Sequence, residues 1–240
     1  MRKLAISILG IFLFAGTPAA QETATDVDDS YVQDILASQK DDSLDELIRN
    51  GLDVNSRDEN GDTMLFFALT QSDDLAIAEK LIDAGADLNA PSTNGMTPLI
   101  VATSTATELQ QQKMLIEAQN EKIALKDLEE QIQYQMKRAT IMLQMLIEKG
   151  ADVNQETPLG TPLMNAATNN QNSEMIDILL NAGAKINQQD SQGRTALFYA
   201  QLFGCDEIIN QLIKAGADVT LRDNAGETYL EIQPSADIFK

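Results

Sequence analysis

Apolar residues along this chain recur at helical spacing in short runs, and most runs end at a glycine. Ile77, Leu81 and Ile82 precede Gly85, and Ile208, Ile209, Leu212 and Ile213 precede Gly216. One face of a helix is buried at that spacing, and a glycine at the end supplies the left-handed residue that closes it. The closing phrase repeats as Gly51-Leu52-Asp53-Val54-Asn55, Gly85-Ala86-Asp87-Leu88-Asn89, Gly150-Ala151-Asp152-Val153-Asn154, Gly183-Ala184-Lys185-Ile186-Asn187 and Gly216-Ala217-Asp218-Val219-Thr220, in steps of 34, 65, 33 and 33. A second phrase, Thr-x-Leu, starts at Thr63, Thr97, Thr161, Thr195 and Thr228, in steps of 34, 64, 34 and 33. Each of these threonines stands where a hydroxyl can accept a helix-start N–H. Pro98 and Pro162 follow in the first turn, where a missing N–H has no consequence. Asn60-Gly61 and Asn94-Gly95 mark tight turns between units.

One step is longer by about 31 residues in both phrases. The extra residues fall between the two helices of one unit, because Ala68 precedes Gly85 by 17 residues whereas Ala102 precedes Gly150 by 48. From Leu99 to Lys149 there is neither Gly nor Pro, which predicts a helical hairpin with its turn near Asn120. Its second arm places Leu125, Leu128, Ile132, Met136, Ala139, Leu143 and Leu146 at alternating steps of three and four, the spacing of a coiled-coil seam. Leu109 and Ile116 face that seam from the first arm. Shared between two arms, the insertion extends about 22 Å at 1.5 Å per residue. It serves equally as a binding arm or as a stiff strut.

Together the two phrases resemble the ankyrin-repeat family, whose unit joins a turn, a Thr-Pro-Leu helix start and a Gly-Ala-Asp-Val-Asn exit. The resemblance covers nearly all of residues 30 to 232 and implies an all-α solenoid of stacked helix-turn-helix units. Residues 1–20 form a signal peptide and 21–29 a disordered acidic linker. Residues 30–57 form an N-terminal capping repeat, in which Tyr31 to Ala37 and Leu44 to Ile48 are the helices. Repeats follow at 58–91, 92–156 (with the insertion at about 103–140), 157–189 and 190–222, and a C-terminal capping half-repeat at 223–240. Two features depart from the family. The residue after Thr-x-Leu, usually His, is Phe66, Ile100, Met164 and Phe198, so apolar contact replaces a hydrogen-bond network. The turn at Pro158, Leu159 and Gly160 reads as shifted by one residue. The resemblance also implies partner binding on the concave face, at Glu59, Asn60, Asp62, Thr70 and Gln71, at Thr93, Asn94 and Met96, and at Ser191, Gln192, Arg194, Leu202 and Phe203. Leu202 and Phe203 are either outward-facing anchors or packing for the next unit.

Composition sharpens this outline. Apolar residues make up 43% of the chain but aromatics only 5%, and Trp is absent, so the core is aliphatic. The start reads Met1-Arg2-Lys3, an apolar run from Leu4 to Phe14, then Ala15, Gly16, Ala19 and Ala20, which is the pattern of an export signal cleaved near Ala19 or Ala20. The run falls short of the roughly 20 residues of a membrane span, and no Cys follows it to carry a lipid. Cleavage removes Arg2 and Lys3 and no acid, taking the formal charge from −20 to −22. Such a surface repels nucleic acid and anionic membrane and favours a basic protein partner; it equally serves solubility. Residues 103–140, with five basic and six acidic side chains, are near neutral.

Catalytic chemistry is scarce. His is absent, which removes the commonest general base and zinc ligand. Cys205 is the only cysteine, and it reads as an inert surface thiol. Asp28-Asp29, Asp41-Asp42 and Asp73-Asp74 read as turn or helix-start acids. Asp58, Asn60 and Asp62 alternate as in a calcium loop, but the glycine comes at the fourth place and Leu69 stands where the bidentate acid belongs. No catalytic residue, metal site or cofactor is expected. With no Asn-x-Ser/Thr acceptor, the expected setting is a bacterial periplasm and the expected function an inhibitor or immunity-type protein. A secreted effector and a carboxylate-only enzyme are the other readings. Oligomeric state is not specified by these residues.

Overall fold

A computed structural model describes residues 41–58, 61–72, 75–104, 122–168 and 173–232, with side chains throughout except at 41–43 and 122–127. The helices are α1 (Asp41–Arg49), α2 (Met64–Gln71), α3 (Ala76–Asp83), α4 (residues 98–104), α5 (Lys122–Glu148), α6 (Pro162–Ala166), α7 (Ser173–Asn181), α8 (Ala196–Leu202) and α9 (Asp206–Lys214), followed by a 3-10 turn at Tyr229–Glu231. They form two layers. In one, α6 packs on α8 and α8 on the 3-10 turn; in the other, α5 packs on α7 and α7 on α9. Helices α2 and α3, α6 and α7, and α8 and α9 close each unit across the layers. Among the described residues there is no strand, only isolated bridges at Arg57–Thr63 and Thr157–Gly160. The expected signal peptide and linker, and Tyr31 to Ala37, lie outside the described residues.

Each unit closes by the same device. At the end of α5, Gly150 donates its N–H to Ile147 and Ala151 to Leu146, a geometry that requires the positive φ of Gly150, +98°, and that satisfies carbonyls a helix end leaves open. The next helix opens where Thr63, Thr97 and Thr161 accept the N–H of Phe66, Ile100 and Met164. Thr195 makes no such cap.

The asparagine of the closing phrase joins one unit to the next. Asn55 Oδ1 accepts the Asp87 N–H at 2.7 Å, Asn89 that of Asp152 at 2.8 Å, Asn154 that of Lys185 at 2.7 Å and Asn187 that of Asp218 at 2.8 Å. Asn55 and Asn154 also donate to the carbonyls of Gly85 and Gly183. In the fifth phrase the position is Thr220, whose hydroxyl turns back to Asp218 Oδ1 at 2.6 Å. Further out, Arg57 Nη1 donates to its own turn at Gly61 and to the next unit at Pro91, while Gln189 Nε2 does the same to Gly193 and Arg222. A solenoid holds by such nearest-neighbour contacts.

The turn at Pro158, Leu159 and Gly160 is in register, contrary to the sequence reading. Gly61, Gly95, Gly160, Gly193 and Gly226 each stand ten residues after an exit glycine and each has positive φ, and Gly160 donates to Thr157 as Gly95 does to Ser92. The shortfall lies after the turn. Asp62, Met96, Arg194 and Glu227 separate glycine from threonine in the other units, whereas Gly160 and Thr161 are adjacent. The replacement of His by apolar residues does produce packing: Ile100, Met164 and Phe198 are buried, and Phe66 packs against the core.

Helix α5 has 27 residues against eight in α3 and nine in α7 and α9. It is therefore about 28 Å longer than α3 at 1.5 Å per residue, more than the expected 22 Å because over half of the insertion belongs to this arm. Along the predicted seam Leu128, Ile132, Ala139, Leu143 and Leu146 are buried and Met136 half-buried. Ala139, Met142, Leu143 and Leu146 join the main core. The first arm, the turn near Asn120 and the side chain of Leu125 lie outside the described residues.

At the other end, Tyr229 and Ile232 are buried, and Glu231 Oε2 accepts the N–H of Thr228 at 2.6 Å and its hydroxyl at 2.9 Å. These bonds hold the Glu231 carboxyl below its ordinary value, the N–H contributing most. An acid whose folded pKa is depressed stabilises the fold above its unfolded pKa and loses that effect as pH falls through the folded one. Protection of the amides at residues 228–232, taken relative to the intrinsic exchange rate at each pH, is therefore expected to fall as pH drops below the usual glutamate range, and the fall should be much weaker in Glu231→Gln, as exchange mass spectrometry would read.

Candidate functional site

The residues expected on the concave face divide by what they already do. Glu59 and Asn60 lie outside the described residues. Asp62 is half-buried with Oδ1 enclosed and unbonded, and its carboxyl is raised above its ordinary value, first by burial and then by the charge of Asp58, against the opposing pull of Arg57. The run from Asp58 to Asp62 forms a turn: Asp58 Oδ1 accepts the Asp62 N–H at 2.9 Å, and the Gly61 N–H reaches the Asp58 carbonyl. Thr70 spends its hydroxyl on the carbonyls of Phe66 and Phe67, leaving Gln71 exposed beside it.

Thr93 and Asn94 are exposed at the next turn, while Met96 packs partly against the core. Ser191 and Gln192 are exposed, but their carbonyls accept from Asn224 of the following turn. Arg194 is half-buried with Nε 3.7 Å from Asp223 Oδ2. Beside it Asp190 accepts the N–H groups of Gln192 and Arg194 through Oδ1 and the Tyr199 hydroxyl, at 2.7 Å, through Oδ2. Burial, and then that bond, pushes the Tyr199 pKa up to about 12. Leu202 and Phe203 are half-buried against the core, the packing role rather than the outward one. Among the described residues, what remains open on this face is the neutral polar set Gln71, Thr93, Asn94, Ser191 and Gln192.

The thiol of Cys205 is buried just ahead of α9, which corrects its reading as a surface group. Among the described residues no group of three or more His, Cys, Asp or Glu could hold a metal ion, and no helix is long and apolar enough to cross a membrane. The acid pairs at 28–29 and 73–74 lie outside the described residues.

A different surface stands out on α5. Its seam is turned into the protein, and Tyr134 and Ile141, 55% and 47% exposed, are left outside, one heptad apart. Residues seven apart share a helix face, and Lys137 is exposed between them. Arg138 fixes the base of this helix: Nη2 donates to the carbonyls of Leu69, at 2.9 Å, and Ser72, at the C-terminal end of α2. A cation at a helix C-terminus is favoured by the dipole, so the insertion is fastened to the preceding unit. In sequence Tyr134 and Ile141 are only two apolar residues seven apart off the main seam, and the burial of that seam is what marks them as outward-facing.

Residues 35–127 and 135–223 match the family described as ankyrin repeats (3 copies). The chain belongs to the ankyrin-repeat family. Ankyrin repeats are modules of protein–protein interaction, presenting a continuous surface built from successive units. Among solved structures, the ankyrin-repeat domain of Bcl-3, a member of the IkappaB protein family, is similar with a TM-score of 0.63 and 23% identity over 87% of this chain and 79% of that one. In all, 513 solved chains match, so the ankyrin fold is too widely shared to indicate a partner. Among curated protein sequences none matches.

Proposed function

We propose that this ankyrin protein is exported to a bacterial periplasm and acts there, without catalysis, as an inhibitor or immunity-type protein that occludes a basic protein partner. The observation that carries this reading is α5. A helix of 27 residues against eight or nine in its counterparts is fastened by Arg138 and buried along one side, yet it shows Tyr134 and Ile141 to solvent. A large aromatic and a branched aliphatic on a rigid, pre-positioned helix are what an interface centre needs. The formal charge of −20 supplies long-range attraction for a basic partner. Export is supported by the basic start, the apolar run from Leu4 to Phe14 and the small residues that follow.

The chain is expected to retain a stoichiometric basic protein from a periplasmic extract at low salt and to release it progressively as salt is raised, since exposed charges are screened. A chain that retains no stoichiometric partner, or is found only in the medium as a secreted effector would be, contradicts the reading. The arm can be shortened by replacing residues 108–134 with a turn, which keeps Arg138 and its bonds to α2 in place.

A further inference from the structure

Helix α5 carries two stripes of seven-residue period on opposite sides. Leu128, Ile132, Ala139, Leu143 and Leu146 are buried along one of them. Along the other, Glu130, Tyr134, Lys137, Ile141, Gln144 and Glu148 are all exposed and follow one another in alternating steps of four and three. At about 100° per residue these six keep within an arc of about 80°, centred about half a turn from the buried stripe. From Glu130 to Glu148 the outer stripe runs about 27 Å at 1.5 Å per residue, or about five turns.

We propose that the outer stripe takes a single amphipathic helix of the partner laid along α5, with apolar residues against Tyr134 and Ile141, an acidic residue against Lys137 and basic residues against Glu130 and Glu148. Width selects a helix. A helix face that fills a groove between elements is about 100° or more across, whereas a narrower stripe spaced in threes and fours is the seam between two helices. The edges of this one are polar: Gln131 and Gln133 are exposed on its two sides, and Thr140 turns its hydroxyl back to the Met136 carbonyl at 3.0 Å.

Charge selects the pattern on the incoming helix. Lys137 stands between the two apolar residues, about 4.5 Å along the axis from Tyr134 and about 6 Å from Ile141, so a partner packed over both encloses its ammonium group. An enclosed charge left unpaired is costly, and a single lysine within a seam thereby sets register as well as partner. Glu130 and Glu148 favour bases at the two ends; Lys149, next to Glu148, is already held by Asp83 at 2.5 Å. The same charges disfavour a second copy of this chain. Parallel pairing sets Lys137 against Lys137, antiparallel pairing of Tyr134 with Ile141 sets the two lysines side by side, and each chain carries a formal charge of −20. The inference rests on the placing of recognition on α5 under the proposed function, and it adds the form and charge pattern of what α5 recognises.

The test is calorimetric titration of the chain with a synthetic amphipathic helix about as long as the stripe, carrying leucine opposite Tyr134 and Ile141, glutamate opposite Lys137 and lysine opposite Glu130 and Glu148. It is made in both chain directions, and a second peptide has lysine in place of the central glutamate. The first peptide is expected to bind, to lose at least about tenfold in affinity on Lys137→Glu, and to lose measurable binding on Tyr134→Asp with Ile141→Asp. The second is expected to gain at least about tenfold on Lys137→Glu, since like charges across an interface repel and opposite ones attract. A gain of that kind cannot come from a misfolded variant. Failure of the first peptide to bind the parent in either direction, equal affinities for the two peptides, or binding that survives the aspartates would overturn the proposal. So would a dimer of the parent that the aspartates abolish, since that assigns the stripe to a second copy. Peptide binding without a captured partner defeats the proposed inhibitor role alone; a captured partner lost with the aspartates, while the peptides fail, defeats the helical occupant alone.

Discussion

Gly193→Ala is expected to lower the stability of the chain by about 3 kcal/mol, read as a fall in the urea midpoint. Two effects add. The residue sits at φ +77°, a conformation that disfavours any Cβ by about 1–2 kcal/mol. The added carbon would also lie 2.8 Å from Asn224 Oδ1, 3.0 Å from the Asn224 nitrogen and 3.1 Å from the Asp223 carbonyl carbon. Two of those atoms are backbone of the following turn, tied to this one by the bonds from Asn224 to Gln192 and Ser191. The clash can be relieved only by opening the junction between two units, and in a nearest-neighbour array that loosens everything beyond it. Gly204→Ala is the control: φ is +66° but nothing lies within 4 Å of the added carbon, so only the conformational part, about 1 kcal/mol, is expected. Equal losses in the two variants would show that the close approach at Gly193 has no energetic weight.

Arg138→Met is expected to cost about 2–3 kcal/mol, the range for leaving buried polar groups unsatisfied after a charged partner is removed. Methionine keeps most of the apolar stem, so the loss reports the guanidinium. Its Nη2 holds carbonyls at the end of α2 that are 66 and 69 residues away in sequence, and both Leu69 and Ser72 are buried. Exchange should rise at the amides of α2 and along the middle of α5 together, because one bond set joins them. Arg138→Lys should recover only part of the loss, since a single ammonium cannot reproduce the planar fork. Urea unfolding of the three proteins decides it; an Arg138→Met variant as stable as the parent would mean that the insertion is not fastened through this residue.

The repeats were legible because their turns and exits depend on glycine at positive φ, and a residue that only backbone geometry demands leaves a regular mark in sequence. The asparagines of the closing phrase were equally visible, but their bonding to the following unit was not, since that depends on how units stack. The turn at Gly160 was misread from the position of Thr161, when the glycine was the better marker. Arg138 was hidden because a charged residue on a long polar helix ordinarily faces water; only the stack brings the end of α2 beneath it. Cys205 was placed at the surface because a short helix start gives no periodicity from which to infer burial. The concave-face assignments followed family positions and took no account of the bonds that Thr70 and Arg194 make within the stack, or of the core under Leu202 and Phe203. The exposed pair on α5 emerged only once the seam had a direction.

Whether the outer face of α5 is the recognition surface, as proposed, is decided by the affinity of the captured partner for three forms of the chain. These are the parent, Tyr134→Asp with Ile141→Asp, and Gln71→Lys with Asn94→Lys on the concave side, compared by calorimetry at one salt concentration. At least a 30-fold loss is expected for the α5 variant, the effect of removing an interface centre worth about 2 kcal/mol or more, and a change of only a few-fold for the concave variant. The reverse order, with binding kept after Tyr134 and Ile141 are replaced and lost with the concave pair, would contradict it and make the long helix a strut.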